Sequence, residues 1–309
     1  MQRNSIIRIG DKVVRKPRIK EFETEVIDEQ SISSSTRSKR FESPLLIIYL
    51  FGFIISLGTL FLWLPVANNS SDFTPFITAL FTSTSAATLT GLVTVNTASY
   101  WSVFGEIVIA ILMFLGGATF MSAATFLLVV VSQQFISSNQ LILWENQPIK
   151  EMLGSSNILR ITVQVAALGI FIQILAAVFY YYRFIPLFEN SIDVIWQSIF
   201  LSISSYNNAG FTIIPDTPSV AIFFQDHITL MFIAFMILLG SLSYPVILEL
   251  LKFKRFKRLS LDTKLVIVTT ITLILIGALL FFITESSNPA TFQNQNIMQR
   301  ISTSLFHSI

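Results

Sequence analysis

The chain has 309 residues, of which 53% are hydrophobic and 12% charged, whereas a soluble domain carries about 25% charged residues. Together with a mean hydropathy of +0.69, this composition excludes an ordinary soluble protein and predicts an integral membrane protein. A net charge of only +2 argues against a nucleic-acid-binding protein. The lack of Cys excludes disulfides and zinc-thiolate sites, and the two His residues argue against a multi-histidine metal site.

The first 43 residues are polar and of mixed charge, as in the runs "RKPRIKEFETE" and "SISSSTRSKR". They contain too few apolar residues to bury a core of their own. No apolar segment of the kind found in a signal peptide follows the basic residues. We expect a cytoplasmic tail, which is either a disordered arm or a docking arm for a partner.

Five apolar stretches follow, and each is long enough at 1.5 Å per residue to cross about 30 Å of hydrocarbon. They cover residues 45–66, 101–131, 158–182, 227–251 and 265–284. The second is longer than a straight crossing needs, so we expect it to tilt, bend or protrude. Gly116 and Gly117 lie in its middle and have two interpretations, which are close helix packing and a bend of an inner helix beside a pore.

Lys and Arg residues predict the orientation, because basic loops stay on the cytoplasmic side of a membrane. With the tail inside, eighteen of the twenty basic residues lie inside: ten in the tail, Lys150 and Arg160, and six within residues 252–264. Only Arg183 and Arg300 lie outside. The sequence therefore predicts a multi-pass protein of the cell membrane with a cytoplasmic N-terminus.

The segments that follow the first and third stretches are the most informative. "TPFITALFTSTSAATLTGLVTVNTASY" and "SIDVIWQSIFLSISSYNNAGFTIIPDT" are too apolar for solvated loops and too short to cross the membrane twice. Backbone that is not helical survives at membrane depth only where protein buries it or water lines it. Both segments are therefore predicted to be re-entrant.

The two segments are related by an offset of 119 residues, which aligns Phe81 with Phe200, Ser83 with Ser202, Ser85 with Ser204 and Gly91 with Gly210. The pattern begins a third time at the end of the chain, where "SLFHSI" follows the earlier "ALFTST" and "SIFLSI". Internal repetition is thus the predicted organising principle. The predicted fold is an all-α integral membrane protein of tandem repeats, each an outer helix, a re-entrant pore helix with a filter loop, and an inner helix.

The repeats divide the chain into predicted segments. These are a polar tail (1–43), a first pore repeat (44–131), a cytoplasmic linker (132–157), a second pore repeat (158–251), a basic cytoplasmic loop (252–264) and an incomplete third pore repeat (265–309). About two and a half of four units are present, and the third glycine would fall about seven residues beyond Ile309. We expect an incomplete form that needs its missing half in cis or from a second chain.

A short helix followed by an extended segment containing Gly suits the replacement of a cation's water shell by backbone carbonyls. Glycine opens conformations that turn successive carbonyls toward one axis. The carboxyl end of the short helix carries roughly half a negative charge, which favours a cation there. Because "TSTSAATLTGL" and "SISSYNNAGF" contain no acidic residue, a divalent-ion site built on an acidic ring is disfavoured.

At these residues the chain resembles a known family. "SAATLTGLVTVNT", "LMFLGGATFMSAATF" and "SSYNNAGF" are similar to the first two pore repeats of the Trk/Ktr/HKT superfamily of potassium transporters, most of all the bacterial Ktr type. The resemblance covers residues 44–309 and implies a fold of four repeats around a pseudo-fourfold pore. It also implies potassium uptake as the function, with potassium as the transported ion, no covalently bound cofactor, and sodium coupling left open.

The resemblance also implies which residues act. The filter residues would be Thr88, Leu89, Thr90, Gly91, Asn207, Asn208, Ala209 and Gly210. Glycine at the first filter position favours potassium, because plant members with serine there select sodium. Taken without the family, the Asn-Asn-Ala-Gly run could equally form an ordinary turn.

Members of this family work as dimers on a cytosolic nucleotide-binding ring. The resemblance therefore implies a homodimer, a regulatory ring and the lipid bilayer as partners, and no nucleic acid. The basic residues available for contact with a ring are Lys252, Lys254, Arg255, Lys257 and Arg258. Topology alone also accounts for a basic inner loop.

Three other functions are alternatives to potassium uptake. A non-conducting, truncated membrane protein would only assemble with full-length partners. A carrier with broken helices would place charged ligands within its spans, for which Glu106 is the only well-placed acid, and an interfacial position also accounts for Glu106. An enzyme is the least supported, because no His or carboxylate accompanies the Ser and Thr residues at membrane depth.

Overall fold

The computed structural model describes residues 45–135, 158–215, 223, 226–252, 256–286, 288 and 296–309. These residues form helices and connecting segments, and the only extended pairing among them is an isolated bridge between Asn68 and Trp101. The prediction of an all-α protein is therefore confirmed. The predicted tail, most of the predicted linker, and Lys254 and Arg255 of the basic loop lie outside the described residues.

The helices follow the order that the repeats predict. They are α1 (Leu45–Trp63), α2 (Phe76–Thr88), α3 (Thr97–Tyr100), α4 (Val103–Phe135), α5 (Ile158–Phe184), α6 (Ser191–Tyr206), α7 (His227–Ser241), α8 (Tyr244–Lys252), α9 (Leu261–Glu285) and α10 (Ile297–Ser308), with short 3-10 turns at Pro65–Ala67 and Phe256–Arg258. The 33 residues of α4 correspond to a helix about 50 Å long. Its helical assignment continues without a break through Gly116 and Gly117.

Length and composition identify the helices that could cross a membrane. Among the described residues, Val163–Phe184 and Leu261–Glu285 qualify on their own, and α7 with α8 makes a third if the pair counts as one span. Ile48–Trp63 and Val103–Thr119 are shorter apolar helices. The five apolar stretches of the sequence thus correspond to helices of unequal length.

The sequence predicts the fourth apolar stretch as one continuous segment, but the structure divides it into two helices, α7 and α8. The helix ends at Ser241, Leu242 is extended (φ −75°, ψ 133°), and the chain resumes as α8 at an angle of 107°. The physical reason is Pro245, which has no amide hydrogen to donate to the carbonyl of Ser241 and whose ring would clash with that carbonyl in a continuous helix. Proline is tolerated in a first helical turn, so a new helix begins there in a new direction.

Residues Ile47–Ile309 form one compact unit, whose buried apolar residues fall into two clusters. The first includes Leu62 of α1, Ala86 of α2 and Met113 of α4. The second includes Tyr180 of α5 and Leu230 of α7. Because α6 contributes buried residues to both clusters, it lies between the first repeat and the second.

Candidate functional site

The first glycine loop, residues 88–91, begins where α2 ends. Leu89 adopts a left-handed conformation (φ 60°, ψ 31°), and its N–H donates to the carbonyl of Ser85. The N–H of Thr90 donates to the same carbonyl at 3.0 Å, and Gly91 also has a positive φ of 69°. A positive φ is strained for a residue as large as Leu, so packing of its side chain against the first core cluster must offset the cost.

The second glycine loop, residues 207–210, repeats this backbone at an offset of 119. Asn208 is left-handed (φ 58°), as Leu89 is, and Gly210 has a φ of 76°, close to that of Gly91. The N–H of Ala209 donates to the carbonyl of Ser204 at 2.9 Å, as Thr90 does to Ser85. The internal repeat seen in the sequence is therefore also a repeat of conformation.

The two glycines are neighbours. A Cβ atom built on Gly91 would lie 2.5 Å from the carbonyl oxygen of Ala209 and 3.4 Å from the Cα of Gly210. A Cβ on Gly210 would lie 3.7 Å from the Cα of Gly91. The tips of the two loops therefore meet, and at Gly91 there is no room for a side chain.

Exposure differs within the predicted filter residues. In the first loop Thr88 and Thr90 are exposed. In the second loop Asn207 and Ala209 are buried, whereas Asn208 and Gly210 are exposed. Exposure thus alternates along both loops, and the role of these residues in ion binding stays a prediction.

The glycine pair of α4 lies against the carboxyl end of α2 and the first residue of the second loop. A Cβ on Gly116 would come within 2.2 Å of the carbonyl oxygen of Ala87, and one on Gly117 within 2.0 Å of Oδ1 of Asn207. These distances support the close-packing interpretation, while the predicted bend at this pair stays a prediction.

An equivalent contact in the second repeat was missed by sequence reasoning. A Cβ on Gly240 of α7 would lie 1.6 Å from the carbonyl oxygen of Tyr206, and Tyr206 is related to Ala87 by the same offset of 119. Gly240, however, follows Gly116 by 124 residues, because the second repeat has a longer connection before its inner helix. The signal in the sequence that could have indicated this contact was a glycine near the end of an apolar run.

The third copy of the pattern packs like the first. The Oγ of Ser83 donates to the carbonyl of Ile55 at 2.8 Å, and the Oγ of Ser308 donates to the carbonyl of Ile274 at 2.7 Å. In both places a glycine of the outer helix, Gly58 of α1 or Gly277 of α9, faces that serine. This shared contact supports α10 as the counterpart of α2 and α6.

A buried acid on α4 connects the two repeats. The indole N–H of Trp196 on α6 donates to Oε2 of Glu106 on α4 at 2.6 Å, and Glu106 is only 7% exposed. Glu106 is therefore buried between the two repeats by a specific partner.

An ion pair joins α5 to α7. Arg183 donates through Nη2 to Oδ2 of Asp226 at 2.5 Å and through Nε to Oγ1 of Thr229 at 3.1 Å. Partial burial alone would raise the pKa of Asp226, but the hydrogen bonds from Arg183 and Thr229 outweigh it and hold that pKa below its ordinary value. This pair ties the outer and inner helices of the second repeat together.

The described part of the basic loop is ordered by a carboxylate. Glu249 of α8 accepts hydrogen bonds from the N–H and Oγ of Ser260 at 2.5 and 2.7 Å, and from Oγ1 of Thr263. Ser260 in turn caps the amino end of α9. Lys252, Lys257 and Arg258 remain exposed at this surface.

No group of three or more His, Cys, Asp or Glu residues that could hold a metal ion occurs within the described ranges. The loop tips instead offer backbone oxygens and hydroxyls. An arrangement of that kind suits a monovalent cation that passes through without a resident carboxylate ligand.

Comparison with known proteins gives consistent matches. A family model described as TrkH, cation transport protein, matches residues 33–285. The chain is 32% identical to the Ktr system potassium uptake protein B of Bacillus subtilis, over 87% of this chain and 59% of that protein. It is 32% identical to the potassium/sodium uptake protein NtpJ of Enterococcus hirae, over 88% and 58% respectively. It is 30% identical to the Ktr system potassium uptake protein B of Vibrio alginolyticus, over 80% and 53%. The chain therefore spans less than two thirds of the length of these relatives.

Proposed function

Because the chain belongs to the TrkH family of cation transport proteins, we propose that it takes up potassium across the cell membrane as the membrane subunit of a Trk/Ktr-type system. The names of the relatives from Bacillus subtilis and Vibrio alginolyticus describe potassium uptake. The name of the Enterococcus hirae relative adds sodium, which supports sodium as a second or coupled ion. Membership of a transport family also favours transport over catalysis.

The proposed ion path runs between the two glycine loops. Its lining would be the backbone carbonyls of residues 88–91 and 207–210. The observation that carries this proposal is the contact between Gly91 and Gly210, which puts two such loops at one place. Both loops follow the carboxyl end of a short helix, α2 or α6, where the helix dipole favours a cation. Uptake would be driven by the membrane potential, worth about 2.3 kcal/mol per charge per 100 mV.

We further propose a multi-pass arrangement with the N-terminus in the cytoplasm, because that orientation places eighteen of twenty basic residues inside. A homodimer and a cytosolic nucleotide-binding ring are the proposed partners. The exposed Lys252, Lys257 and Arg258 are the proposed ring contacts among the described residues, and Lys254 and Arg255 extend that basic run in the sequence.

Rubidium uptake in potassium-starved cells that depend on this gene tests the proposal. Gly91→Ser and Gly210→Ser should each lower the preference for rubidium over sodium by about tenfold, since either change disturbs the shared tip. The matched control is Gly52→Ser, because a Cβ at Gly52 meets nothing within 4 Å. Unchanged uptake and unchanged preference in both loop variants would remove the filter assignment.

A further inference from the structure

The segment that follows the second glycine loop is held in place by one side chain. Residues 211–214 are neither helix nor strand, and all four are buried. A buried backbone carbonyl outside regular structure needs a hydrogen-bond partner. For Ile213 that partner is the side-chain amide of Gln197, whose Nε2 donates to the carbonyl oxygen at 2.7 Å.

Gln197 is well placed to control the position of the loop. It lies on α6, which leads into the loop, whereas Ile213 lies three residues after Gly210. The bond therefore joins the two ends of the loop across its base. Since Gln197 is itself buried, water does not compete for its amide.

The preceding residue fixes the same helical turn to the first repeat. Trp196 donates to Glu106 of α4, and its ring packs edge-on against Phe200 at a centroid distance of 6.2 Å. These contacts form a bracket that runs from the inner helix of the first repeat to the segment after the second loop. The bracket consists of Glu106, Trp196, Gln197 and the carbonyl of Ile213.

The first repeat has no such bracket in its described part. The residue equivalent to Gln197 at an offset of 119 is Thr78, and the equivalent of Ile213 is Thr94. A threonine hydroxyl does not extend as far from the backbone as a glutamine amide does. The bracket is therefore a special property of the second loop.

We infer that Gln197 is a positioning residue that sets ion preference by fixing the second glycine loop relative to the first, with Trp196 and Glu106 as its anchor. This inference rests on the proposed function. A carbonyl filter discriminates between ions through the placement and freedom of its oxygens. Releasing Ile213 lets the carbonyls of Ala209 and Gly210 move away from Gly91.

The test measures the ratio of rubidium to sodium uptake, which does not depend on how much protein reaches the membrane. Gln197→Met keeps the length of the side chain but removes the donor, and we expect the ratio to fall about tenfold. The matched control is Gln173→Met, which changes another buried glutamine on α5 of the same repeat and should leave the ratio within about twofold. A ratio that stays within about twofold of wild type in Gln197→Met overturns the inference.

Two further variants complete the experiment. If Gln197→Met does not accumulate, Gln197→Asn decides by the same criterion, because its amide is one methylene too short to reach Ile213. Trp196→Phe removes the anchor and should shift the ratio in the same direction, and an unchanged ratio there overturns the role given to Glu106.

Gly210→Ser is measured alongside these variants to separate the two hypotheses. If Gly210→Ser and Gly91→Ser both leave the ratio unchanged, the proposed filter fails. If Gly210→Ser lowers the ratio and Gln197→Met does not, only the bracket fails.

Discussion

The two glycine loops share one backbone and differ in what supports it. In the segment after the first loop, Leu92 is 63% exposed and Val93 44% exposed, whereas Ile213 and Ile214 after the second are nearly inaccessible. The second loop also has side-chain bonds from Gln197 to Ile213 and from Asn208 to Ser241 at 2.8 Å. The comparison teaches that the repeat conserves the turn itself, through left-handed residues and a glycine, while each copy is held by its own neighbours.

The largest expected effect is a difference in rubidium uptake between the Gly91→Ala and Gly210→Ala variants. Gly91→Ala should reduce rubidium uptake by about tenfold or more, because its Cβ meets the Ala209 carbonyl and its positive φ costs a further 1 kcal/mol or so. Gly210→Ala pays only the conformational cost, since its Cβ has ordinary contact with Gly91, so its uptake should fall less. Uptake at matched membrane abundance measures both, and an equal or larger loss in Gly210→Ala would contradict the contact.

The next effect is a loss of stability when the inner helix of the second repeat, α7, is overpacked. Gly240→Ala places a Cβ against the carbonyl of Tyr206, so α7 must move, and overpacking of this kind costs about 1–3 kcal/mol. The thermal stability of the purified protein in detergent should fall. Gly52→Ala is the control, and it should be neutral or slightly stabilising in an open helical position. A Gly240→Ala protein as stable as wild type would show that α7 is not packed against the carboxyl end of α6.

The smallest expected effect concerns the ion pair at the end of the second repeat. Because the folded-state pKa of Asp226 lies below its ordinary value, its contribution to stability is present above that value and is lost as pH falls through the folded-state pKa. Asp226→Asn should therefore flatten the stability profile at its acidic end. Thermal unfolding between about pH 3 and pH 7 measures this. Identical profiles for the two proteins would mean that Arg183 does not favour the carboxylate.

The sequence predicted the features that repeat and missed those that do not. The offset of 119 residues identified Gly91 and Gly210 before any coordinates, because both positions adopt a positive φ that glycine takes up without strain. Leu89 could not be predicted as left-handed, because Leu rarely adopts a positive φ. Here its side chain packs against the first core cluster, and that packing offsets the strain.

Other features depend on partners that are distant in the chain. The sequence left Glu106 as either a ligand within a span or an interfacial residue, and its burial against Trp196, ninety residues later in the chain, could not be predicted from either interpretation. Gly240 was missed because the connection in the second repeat shifts the register of its inner helix by five residues. The break before α8 had a local signal in Pro245, which the apolar composition of residues 227–251 concealed.

The contact between Gly91 and Ala209 also sets an order of events during synthesis. The first loop acquires its neighbour only after a further 118 residues have left the ribosome, which takes roughly 6–24 s at about 5–20 residues per second. Through that interval the tip of the first loop lacks the neighbour against which it packs in the folded chain.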